Sequence, residues 1–490
     1  METNLNRNRD FKSERDFAEF IKELGGDAYL VGGAVRDQFL SSCVPATERD
    51  RDYMVTGIAP CAIPFEKIVG TSFPVYIVNI ENTACEVALA RTERKINTNA
   101  AVTTKNAHTA FTVTSNPHIT VKEDLKRRDL SMNAMAIHIL SQVLVDPYNG
   151  RQDIKNRLLR HTSLAFTEDP LRIFRVARFA SQFNFRVAEE TEDLMNSISS
   201  SNSLNTLNPL QHGDLNYIPG ERVWKETEKA LASRYPHRFF EVLKEIDALS
   251  DFFPEILALD VPDKHDGTAF KHTMRLMKGA ATISATISTT STTQTSISAV
   301  EQFSLLTHDL GKALTPPSKH PSHHGHDKLA HAPITNLCKR LKVPNKYRDP
   351  ALTFAAEHMR AKVATEMRDG KFLRWVLNLS SNSNKNENPN ENRNPDSDIV
   401  MILKLSYLDS ALKDNCDFLK NRKHFRTLAV LIDLALHAIN SVHARDLLKE
   451  KKGEGKKYSP GPKLGEALFQ RRVSEYRQLK RVNKEILDAW

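Results

Sequence analysis

The sequence predicts a mixed α/β fold for residues 1–150 and an almost wholly helical remainder. Three observations lead to this fold class. The chain has 490 residues, more than one hydrophobic core usually organises, so several domains are expected. Short apolar runs typical of strands are found before residue 150. Beyond Asn156 the apolar residues recur mainly with the spacing of helices.

The first elements read as a strand, a glycine turn and a helix, preceded by a helix over Asp16–Leu24. The apolar run Ala28–Val31 ends at Gly32-Gly33, after which a helix begins at Ala34. Further strands are expected at Tyr53–Val55, Val75–Ile80, Cys85–Ala90 and Val143–Val145, the last one before a turn at Asp146–Gly150. Later helices are expected from the Asp169-Pro170 cap through Ala180 and over Glu221–Ala232.

The composition is that of a globular protein, with 40% hydrophobic and 26% charged residues. No apolar run approaches the roughly 20 residues of a bilayer crossing, and Met1–Arg15 lacks the apolar core of a secretory signal. We therefore expect a cytoplasmic protein without membrane segments. Its five cysteines form no CxxC pair, and its net charge of +9 mildly favours polyanionic partners.

Three stretches interrupt the pattern without a durable apolar face. They are Ser197–Tyr217, the Thr/Ser run Thr282–Ser298 and the Asn-rich Ser380–Asp398. Such compositions bury too little apolar surface to offset the entropy of ordering, so we expect surface insertions without chemistry of their own.

Chemistry first appears at Gly32-Gly33, Arg36 and the pair Asp50 and Asp52. The two glycines allow the backbone to approach a phosphate, and the following helix directs amide hydrogens towards it. Alternate residues of a strand share a face, so both aspartates project together while Arg51 turns away. Paired carboxylates suit Mg²⁺, and Glu86 is a candidate third carboxylate. An isolated DxD is usually a solvated strand edge, but here it follows the glycine turn.

Five further motifs follow in order: Ala90–Lys95, Asp124–Ala134, Asp146–Gly150, Glu168–Arg178 and Glu221–Glu226. Together with the glycine pair and the DxD they resemble the nucleotidyltransferases of the polymerase-β superfamily. Within it, the resemblance is to class II CCA-adding enzymes and bacterial poly(A) polymerases. It covers most of the chain and implies a small-sheet α+β head followed by an all-α neck, body and tail. We place the head at 1–155, the neck at 156–260, the body at 261–415 and the tail at 416–490.

The resemblance implies a template-independent enzyme that adds CCA to the 3′ end of tRNA from CTP and ATP. Asp50 and Asp52 would hold Mg²⁺ and catalyse the transfer. Asp169 and Arg172 would pair with the incoming base, since a carboxylate accepts hydrogen bonds and a guanidinium donates them. The other nucleotide contacts implied are Gly33, Arg36, Arg128, Arg175 and Arg178. Taken alone, Arg127-Arg128 reads as a solvated helix face, and residues 168–178 as one helix with a surface ladder of ion pairs.

The C-terminal half carries a second constellation of histidines and carboxylates. His308-Asp309 lies in the sequence Leu305–Lys312, with His272 before it and a histidine cluster at His320–His331, then His358 and Asp409, after it. Such residues on separate helices make a mixed N/O pocket for a divalent transition metal. The pattern resembles the HD phosphohydrolases and the HD domain of bacterial multifunctional CCA proteins. It implies His272, His308, Asp309 and Asp409 as ligands, with Lys312 or His326 nearby, and possible Ni²⁺ dependence.

The partners implied are the tRNA acceptor end, CTP and ATP, with no obligate protein partner and a monomeric or weakly dimeric state. Two loops depart from the family pattern: Ser41–Arg49 is long, and Lys95–Ala110 is long and is followed by Phe111. Two alternatives stay open at this point. One is a poly(A) polymerase, against which the HD domain argues. The other is an RNA-binding phosphohydrolase with a decayed head, against which the intact motifs argue.

Overall fold

The structure, a computed structural model, describes most of the chain. The described residues are 9–40, 51–65, 67–69, 75–95, 111–199, 215, 218–288, 297–382, 395–413, 417–445, 447 and 462–488. Asp50 lies outside these ranges, and so do the two long loops at 41–49 and 96–110. The chain divides into two compact units, Met1–Phe252 and Phe253–Trp490. The four-part domain division stays a prediction.

The first unit contains the strands and a set of mostly short helices. Its helices are α1 Glu14–Glu23, α2 Gly33–Phe39, α3 Val121–Lys126, α4 Gly150–Asn156, α5 Leu171–Phe183, α6 Glu189–Ile198, α7 Gly220–Leu231, α8 His237–Glu245 and α9 Leu249–Phe252. Its strands are β1 Asp27–Val31, β2 Asp52–Thr56, β3 Lys67–Val69, β4 Val75–Ile80, β5 Thr83–Leu89, β6 Thr92–Lys95, β7 Phe111–Thr114, β8 Ala136–His138, β9 Leu144–Val145, β10 Leu158–Leu159 and β11 Arg186–Val187.

A seven-stranded mixed sheet in the order β3-β4-β5-β2-β1-β8-β9 organises the first unit. The central strand β2 pairs antiparallel with β1 and parallel with β5. Its first residue, Asp52, lies opposite Val31 on one side and Glu86 on the other. Because the chain leaves β1 at Val31 and turns at Gly32, the glycine turn and both carboxylates come together at one edge of the sheet.

Two apolar clusters hold this sheet in place. On one side, Val31 and Met54 pack with Leu125 of α3. Around α1, the ring centroid of Phe11 lies 5.3 Å from that of Phe17 and 5.4 Å from that of Phe20. Burial of such aromatic side chains removes 150–250 Å² each from water, roughly, and anchors α1 beside the sheet.

The predicted strands and helices of the first unit are found, with differences at their ends and additions. The strand predicted at Val143–Val145 covers only Leu144–Val145. β3, β6, β7 and β8 were not predicted, because strands of three or four residues show too little alternation to be distinguished from loops. The helix α5 begins at Leu171. Glu168 therefore ends a separate 3₁₀ turn and Asp169 is extended, so the prediction that both lie on one helix with Arg172 is wrong.

The second unit is helical apart from one two-stranded hairpin, β12 Pro262–Asp263 with β13 Gly267–Thr268, in its described part. Its helices are α10 Pro254–Leu257, α11 Ala269–Ser288, α12 Ala299–Thr307, α13 His326–Leu329, α14 His331–Leu341, α15 Asn345–Ala361, α16 Asp369–Asn382, α17 Pro395–Ala411, α18 Phe418–Ser441, α19 Pro462–Val482 and α20 Lys484–Asp488. The mixed head and helical remainder agree with the predicted fold class.

The low-complexity stretches are partly helical at their ends. The Thr/Ser run continues α11 through Ser288, and Ser298 accepts a hydrogen bond from the Glu301 amide to cap α12. Likewise α16 extends to Asn382 and α17 starts at Pro395. The remaining predicted insertions, 200–214, 289–296 and 383–394, lie outside the described residues. Among the helices of the described ranges, none is long and apolar enough to cross a membrane.

Candidate functional site

A cleft of about 470 Å³ opens at the sheet edge where β1, β2 and β5 meet α3, α5 and α7. Its lining combines carboxylates with guanidinium groups. The charged residues that line it are Arg36, Asp52, Glu86, Arg91, Asp124, Arg127, Arg128, Asp129, Asp169, Arg172, Arg175 and Arg222. A site with this charge pattern suits a metal-bound polyphosphate, since the carboxylates favour cations and the arginines favour phosphate oxygens.

The carboxylates of Asp52 and Glu86 lie on paired positions of neighbouring parallel strands. Both line the cleft, and Glu86 is exposed to solvent. Arg51 turns away, as the strand alternation predicts, and its Nη1 lies 3.2 Å from Glu14 Oε1 and 2.7 Å from Glu81 Oε2. Asp50 lies outside the described residues, so the carboxylates that the described strands contribute to the cleft are those of Asp52 and Glu86.

Gly32 adopts a positive φ of +70°, which a side chain rarely tolerates. A Cβ at this position would lie 3.2 Å from Arg128 Nη1 and 3.8 Å from Asp52 Oδ2. The turn therefore brings bare backbone, a guanidinium and a carboxylate to the same place. A Cβ at Gly33 would lie 3.4 Å from Arg36 Nη2, so Arg36 also belongs to this corner.

The side chain of Arg36 is buried and has defined partners. Its Nη2 lies 2.7 Å from Asp37 Oδ1, and its Nη1 donates to Asn133 Oδ1 at 2.9 Å. The guanidinium also stacks over the ring of Phe183, 5.0 Å from its centroid. Arg36 thus lines the cleft as a preorganised charge, since its orientation is fixed by these contacts.

Asp124 orients Arg128, a predicted nucleotide contact, and its neighbour Arg127. Its buried carboxylate accepts from Arg127 Nη2 at 2.8 Å and from Arg128 Nη2 at 3.4 Å. Burial raises the pKa of Asp124, but the charges of Arg127 and Arg128 outweigh it, so the pKa is lowered and the group stays ionised. The reading of Arg127-Arg128 as a solvated helix face therefore does not hold.

Asp169 and Arg172 are each anchored by a different segment. Asp169 Oδ1 accepts from the Leu171 amide at 3.1 Å, and Oδ2 accepts from Arg222 at 3.1 Å. Arg172 donates from Nη1 to the carbonyl of Ala165 at 2.7 Å and from Nη2 to that of Arg127 at 2.6 Å. These bonds hold an acceptor group and a donor group in fixed orientations at the cleft.

Of the two predicted nucleotide contacts Arg175 and Arg178 on α5, Arg175 lines the cleft and Arg178 is not among its lining residues. Arg175 Nε donates to Asp129 Oδ2 at 2.7 Å, and Arg178 Nε donates to Glu226 Oε2 at 2.5 Å. Burial raises the pKa of Asp129, but the charge of Arg175 contributes most to lowering it overall. The predicted ladder along one helix is thus wrong: the arginines of α5 reach separate partners on other segments.

The sequence did not predict Asp129 and Glu226 as ion-pair partners of the α5 arginines, although they lie within the motifs Asp124–Ala134 and Glu221–Glu226. Their burial next to arginines of α5 comes from pairing between segments roughly 50 residues apart. Spacing along the chain carries no signal for such pairs. Arg222, which holds Asp169, was missed for the same reason.

In the second unit, the four predicted metal ligands come together in a buried cluster. His272 is on α11, His308 and Asp309 follow α12, and Asp409 is on α17. His272 Nε2 lies 3.2 Å from Asp409 Oδ1 and 3.9 Å from Asp309 Oδ2. His308 Nε2 lies 3.2 Å from Asp309 Oδ2. The ligand atoms of His272, His308 and Asp409 all lie within 4.8 Å of one another.

Two further histidines complete the cluster. His326 Nε2 lies 3.1 Å from Asp309 Oδ1 and 3.2 Å from His358 Nε2. The Nδ1–H groups of His308, His326 and His358 donate to the backbone carbonyls of Leu305, His323 and Ala355, respectively. These bonds fix the tautomer and direct each Nε2 lone pair into the cluster, as second-shell bonds do in metal sites.

The other histidines of the segment His320–His331 lie outside the buried histidine–aspartate cluster. His323 hydrogen-bonds with Thr315 and with the carbonyl of Pro262, and His324 is exposed. His326 is thus the residue of that loop whose ring reaches the centre. His358 belonged to the predicted constellation but not to the predicted ligands. The structure places its ring in the buried cluster, next to His326.

The charges of the cluster are strongly coupled. Burial lowers the pKa of His272, but hydrogen bonds to Asp266 and Asp409 outweigh it and raise the pKa to about 9. For Asp409, burial raises the pKa, while Lys362 and His272 lower it well below its usual range. Burial likewise raises the pKa of Asp309, while the neighbouring His308 and Lys312 lower it well below its usual range. Ionised carboxylates beside directed imidazole lone pairs form a donor set for a divalent transition metal.

Comparisons with known proteins identify the family to which the chain is similar. Residues 28–160 match the poly(A) polymerase head domain, and residues 184–259 match a domain described as a probable RNA- and SrmB-binding site of polymerase A. The chain is 40% identical over 355 residues to the multifunctional CCA protein of Nitrosococcus oceani, covering 71% of this chain and 78% of that protein. It is 43% identical over 341 residues to that of Psychromonas ingrahamii, covering 67% and 74%.

Solved structures of CCA-adding enzymes share the fold. The enzyme of Bacillus stearothermophilus, in complex with CTP, is 21% identical with a TM-score of 0.55, covering 96% of this chain and 97% of that one. The Thermotoga maritima enzyme complexed with tRNA is 17% identical with a TM-score of 0.55, covering 97% and 94%. The head fold and its carboxylate-and-arginine cleft define a nucleotidyltransferase. The chain belongs to the family of multifunctional CCA proteins.

Proposed function

We propose that this enzyme adds and repairs the 3′-terminal CCA of tRNA, using CTP and ATP without a nucleic-acid template and releasing pyrophosphate. The observation that carries the proposal is the meeting of Asp52, Arg128 and the Asp169–Arg172 pair in one cleft. Membership of the family and the RNA-binding domain match at residues 184–259 support the same function.

In the proposed reaction the 3′ hydroxyl of tRNA attacks the α-phosphate of the bound nucleotide. Asp50 and Asp52 would hold Mg²⁺, and Glu86 lies beside Asp52. When bound, the metal would activate the attacking oxygen and stabilise the leaving pyrophosphate. Arg128 lies against Gly32 where the backbone is bare, so it is placed to bind phosphate oxygens close to the carboxylates. Arg36 adds a second, fixed positive charge.

The base would be read by Asp169 and Arg172. A protein can take the place of a template if its donors and acceptors are rigid, because specificity then comes from unpaired groups left by a wrong base. Arg222 and two backbone carbonyls supply that rigidity. Arg175, which lines the cleft, and Arg178, one turn further along α5, would support the nucleotide. The duplex acceptor arm would be recognised by shape, phosphate and 2′-OH contacts.

We further propose that the second unit hydrolyses phosphate esters, as a phosphatase, 2′-nucleotidase or 2′,3′-cyclic phosphodiesterase. His272, His308, Asp309 and Asp409 would bind a divalent transition metal such as Ni²⁺, and His326 and His358 offer additional nitrogen donors. The buried Nε2 of His308 lacks hydrogen-bond geometry to its neighbours in the described structure, and a metal ion would satisfy it. When bound, the metal supplies a water of lowered pKa as the nucleophile.

The first experiment measures incorporation of labelled CTP and ATP into tRNA that ends in nothing, C or CC. The chain is compared with its Asp50→Ala, Asp52→Ala double variant. Ordered addition that stops at CCA and is abolished in the double variant is expected. Extension by more than one nucleotide with ATP alone would instead support a poly(A) polymerase. Absence of incorporation by the unmodified protein would contradict the proposal and leave hydrolysis as the remaining activity.

A further inference from the structure

Two lysines lie at the edge of the histidine–aspartate cluster of the second unit and are not among the proposed metal ligands. Lys362 Nζ lies 2.5 Å from Asp409 Oδ2, and Lys413 Nζ lies 3.8 Å from Asp409 Oδ1. Lys362 follows α15, which carries His358, and Lys413 lies just beyond the end of α17, which carries Asp409. Both ammonium groups are therefore positioned by the same helices that position the cluster.

The lysines differ from the cluster in their access to solvent. The side chains of His272, Asp309 and Asp409 are at most 3% exposed, whereas those of Lys362 and Lys413 are 21% and 24% exposed. The ammonium groups thus lie between the buried donor atoms and solvent. A molecule that reaches the cluster from this side would meet them on the way.

Carboxylates and cationic side chains surround the cluster in equal number. In the described structure, the carboxylates that contact the cluster or its lysines belong to Asp263, Asp266, Asp309 and Asp409. The cationic side chains that contact these carboxylates are Arg275, Lys312, Lys362 and Lys413. Apart from the histidines, four carboxylates therefore face four cationic side chains. A divalent ion at the centre leaves an excess of positive charge, which favours an anionic ligand.

Lys362 also keeps donors available for such a ligand. An ammonium group carries three hydrogens. Among the described residues its recorded partners are Asp409 and, weakly, the thioether of Met359 at 3.8 Å. A phosphate oxygen can accept a remaining hydrogen while the bond to Asp409 persists.

We propose that Lys362 and Lys413 form the phosphate-binding edge of this site and hold the phosphate group of an ester substrate against the metal centre. The inference rests on the proposed metal-dependent hydrolysis and deepens it, because it identifies which residues recognise the substrate and from which side it enters. The same lysines would hold the phosphate dianion released as product.

A purely structural role for Lys362, as a counter-charge to Asp409, predicts a different outcome. In both cases Lys362 competes with the metal for Asp409, so Lys362→Gln should tighten Ni²⁺ binding severalfold. Only a phosphate-binding role predicts that the same change weakens binding of phosphate to the Ni²⁺-loaded protein. The two affinities then move in opposite directions, which a general loss of structure would not produce.

The test titrates the full-length protein first with Ni²⁺ and then, once Ni²⁺-saturated, with inorganic phosphate. The part of the Ni²⁺ and phosphate binding that is lost in the Asp309→Ala variant is assigned to this site rather than to the nucleotide cleft. Lys362→Gln and Lys413→Gln are compared with Lys362→Arg, which keeps the charge, and with Lys339→Gln, a matched control on the exposed face of α14. Far-UV circular dichroism and thermal unfolding establish that each variant is folded.

We expect Lys362→Gln to weaken phosphate binding about tenfold, Lys413→Gln less, and Lys362→Arg and Lys339→Gln to retain it, as the loss of one charge-assisted hydrogen bond predicts. Unchanged phosphate affinity in Lys362→Gln and Lys413→Gln, with Ni²⁺ still bound, would overturn the inference and leave the proposed hydrolysis standing. A protein that binds no Ni²⁺ in an Asp309-dependent manner would overturn both.

Discussion

In the first unit, Asp52 and Glu86 lie on neighbouring strands and face an open cleft, whereas in the second unit Asp309 and Asp409 lie on or beside helices and are almost completely buried. The strand carboxylates stand beside arginines in a site accessible to water, which suits a hard ion that keeps part of its hydration shell. The helical carboxylates stand among imidazoles with fixed tautomers, which suits a transition metal. One chain thus uses two ways of assembling donors for two kinds of ion.

The largest effect that separates the two sites is expected from Asp52→Asn. The change keeps the shape of the side chain but removes a charged oxygen donor, and loss of metal-assisted catalysis costs several kcal/mol of transition-state stabilisation. CTP incorporation into tRNA lacking CCA should fall on the order of a thousandfold. In the same variant, the affinity of the second unit for Ni²⁺, measured by titration, should be unchanged. A comparable loss of Ni²⁺ binding would contradict the independence of the two sites.

The reciprocal change is Asp309→Ala in the second unit. Asp309 contacts His308, His326 and Lys312 with its two oxygens, so its loss should weaken Ni²⁺ binding about a hundredfold, the upper range seen for residues that support a metal. Calorimetric titration measures this directly. CTP incorporation serves as the control and should remain within a factor of about two. Retained Ni²⁺ affinity would show that the cluster does not bind the metal through this carboxylate.

Acid stability should sharpen the contrast within the first unit. The pKa of Asp129 is lowered because the charge of Arg175 outweighs burial, so its stabilising effect is present above the unfolded-state pKa of about 3.9 and lost as the pH falls below it. Asp129→Asn should therefore cost about 2 kcal/mol at pH 7, a value reduced because Arg175 is partly exposed.

Thermal unfolding from pH 7 to pH 3 measures the effect of Asp129→Asn. The gap between the unmodified protein and the variant should narrow as the pH falls from about 5 towards 3, because Asp129 becomes protonated in the unfolded chain while it stays ionised in the folded protein. A gap that stays constant over this range would mean that packing or hydrogen bonding, rather than the charge, accounts for the loss.

The smallest effect is expected from Arg172→Lys, which keeps the charge but loses the planar fork that bonds two carbonyls. The apparent KM for CTP should rise about tenfold, and discrimination against UTP should fall, because the donor geometry at the base is relaxed. Steady-state kinetics with each nucleotide measures both. Arg186→Lys, an exposed arginine on β11, is the matched control. An equal loss for every nucleotide would indicate a purely structural role.

The sequence predicted the two sites unequally well. Gly32 and Asp52 could be placed together because strand alternation and a glycine turn are local patterns, whereas Arg128 was assigned to the same site through the resemblance. The meeting of His272 with Asp409 came from the resemblance, since 137 residues separate them. The partners Asp129, Glu226 and Arg222 were not predicted as such, because buried ion pairs between distant segments leave no periodicity. The one-helix assignment of Glu168 failed because Pro170 allows a helix start but does not specify which residue begins it.

The direct pairing of Asp52 with Glu86 has a consequence for tolerance to insertion. Adjacent strands are held roughly 4.8 Å apart by their backbone ladder, close to the roughly 3.5–4 Å between the ions of two-metal sites. The backbone hydrogen bonds of the sheet thus set the distance between the two strands that carry these carboxylates. The connection before β2 can lengthen, as at residues 41–50, without altering the spacing between these two strands.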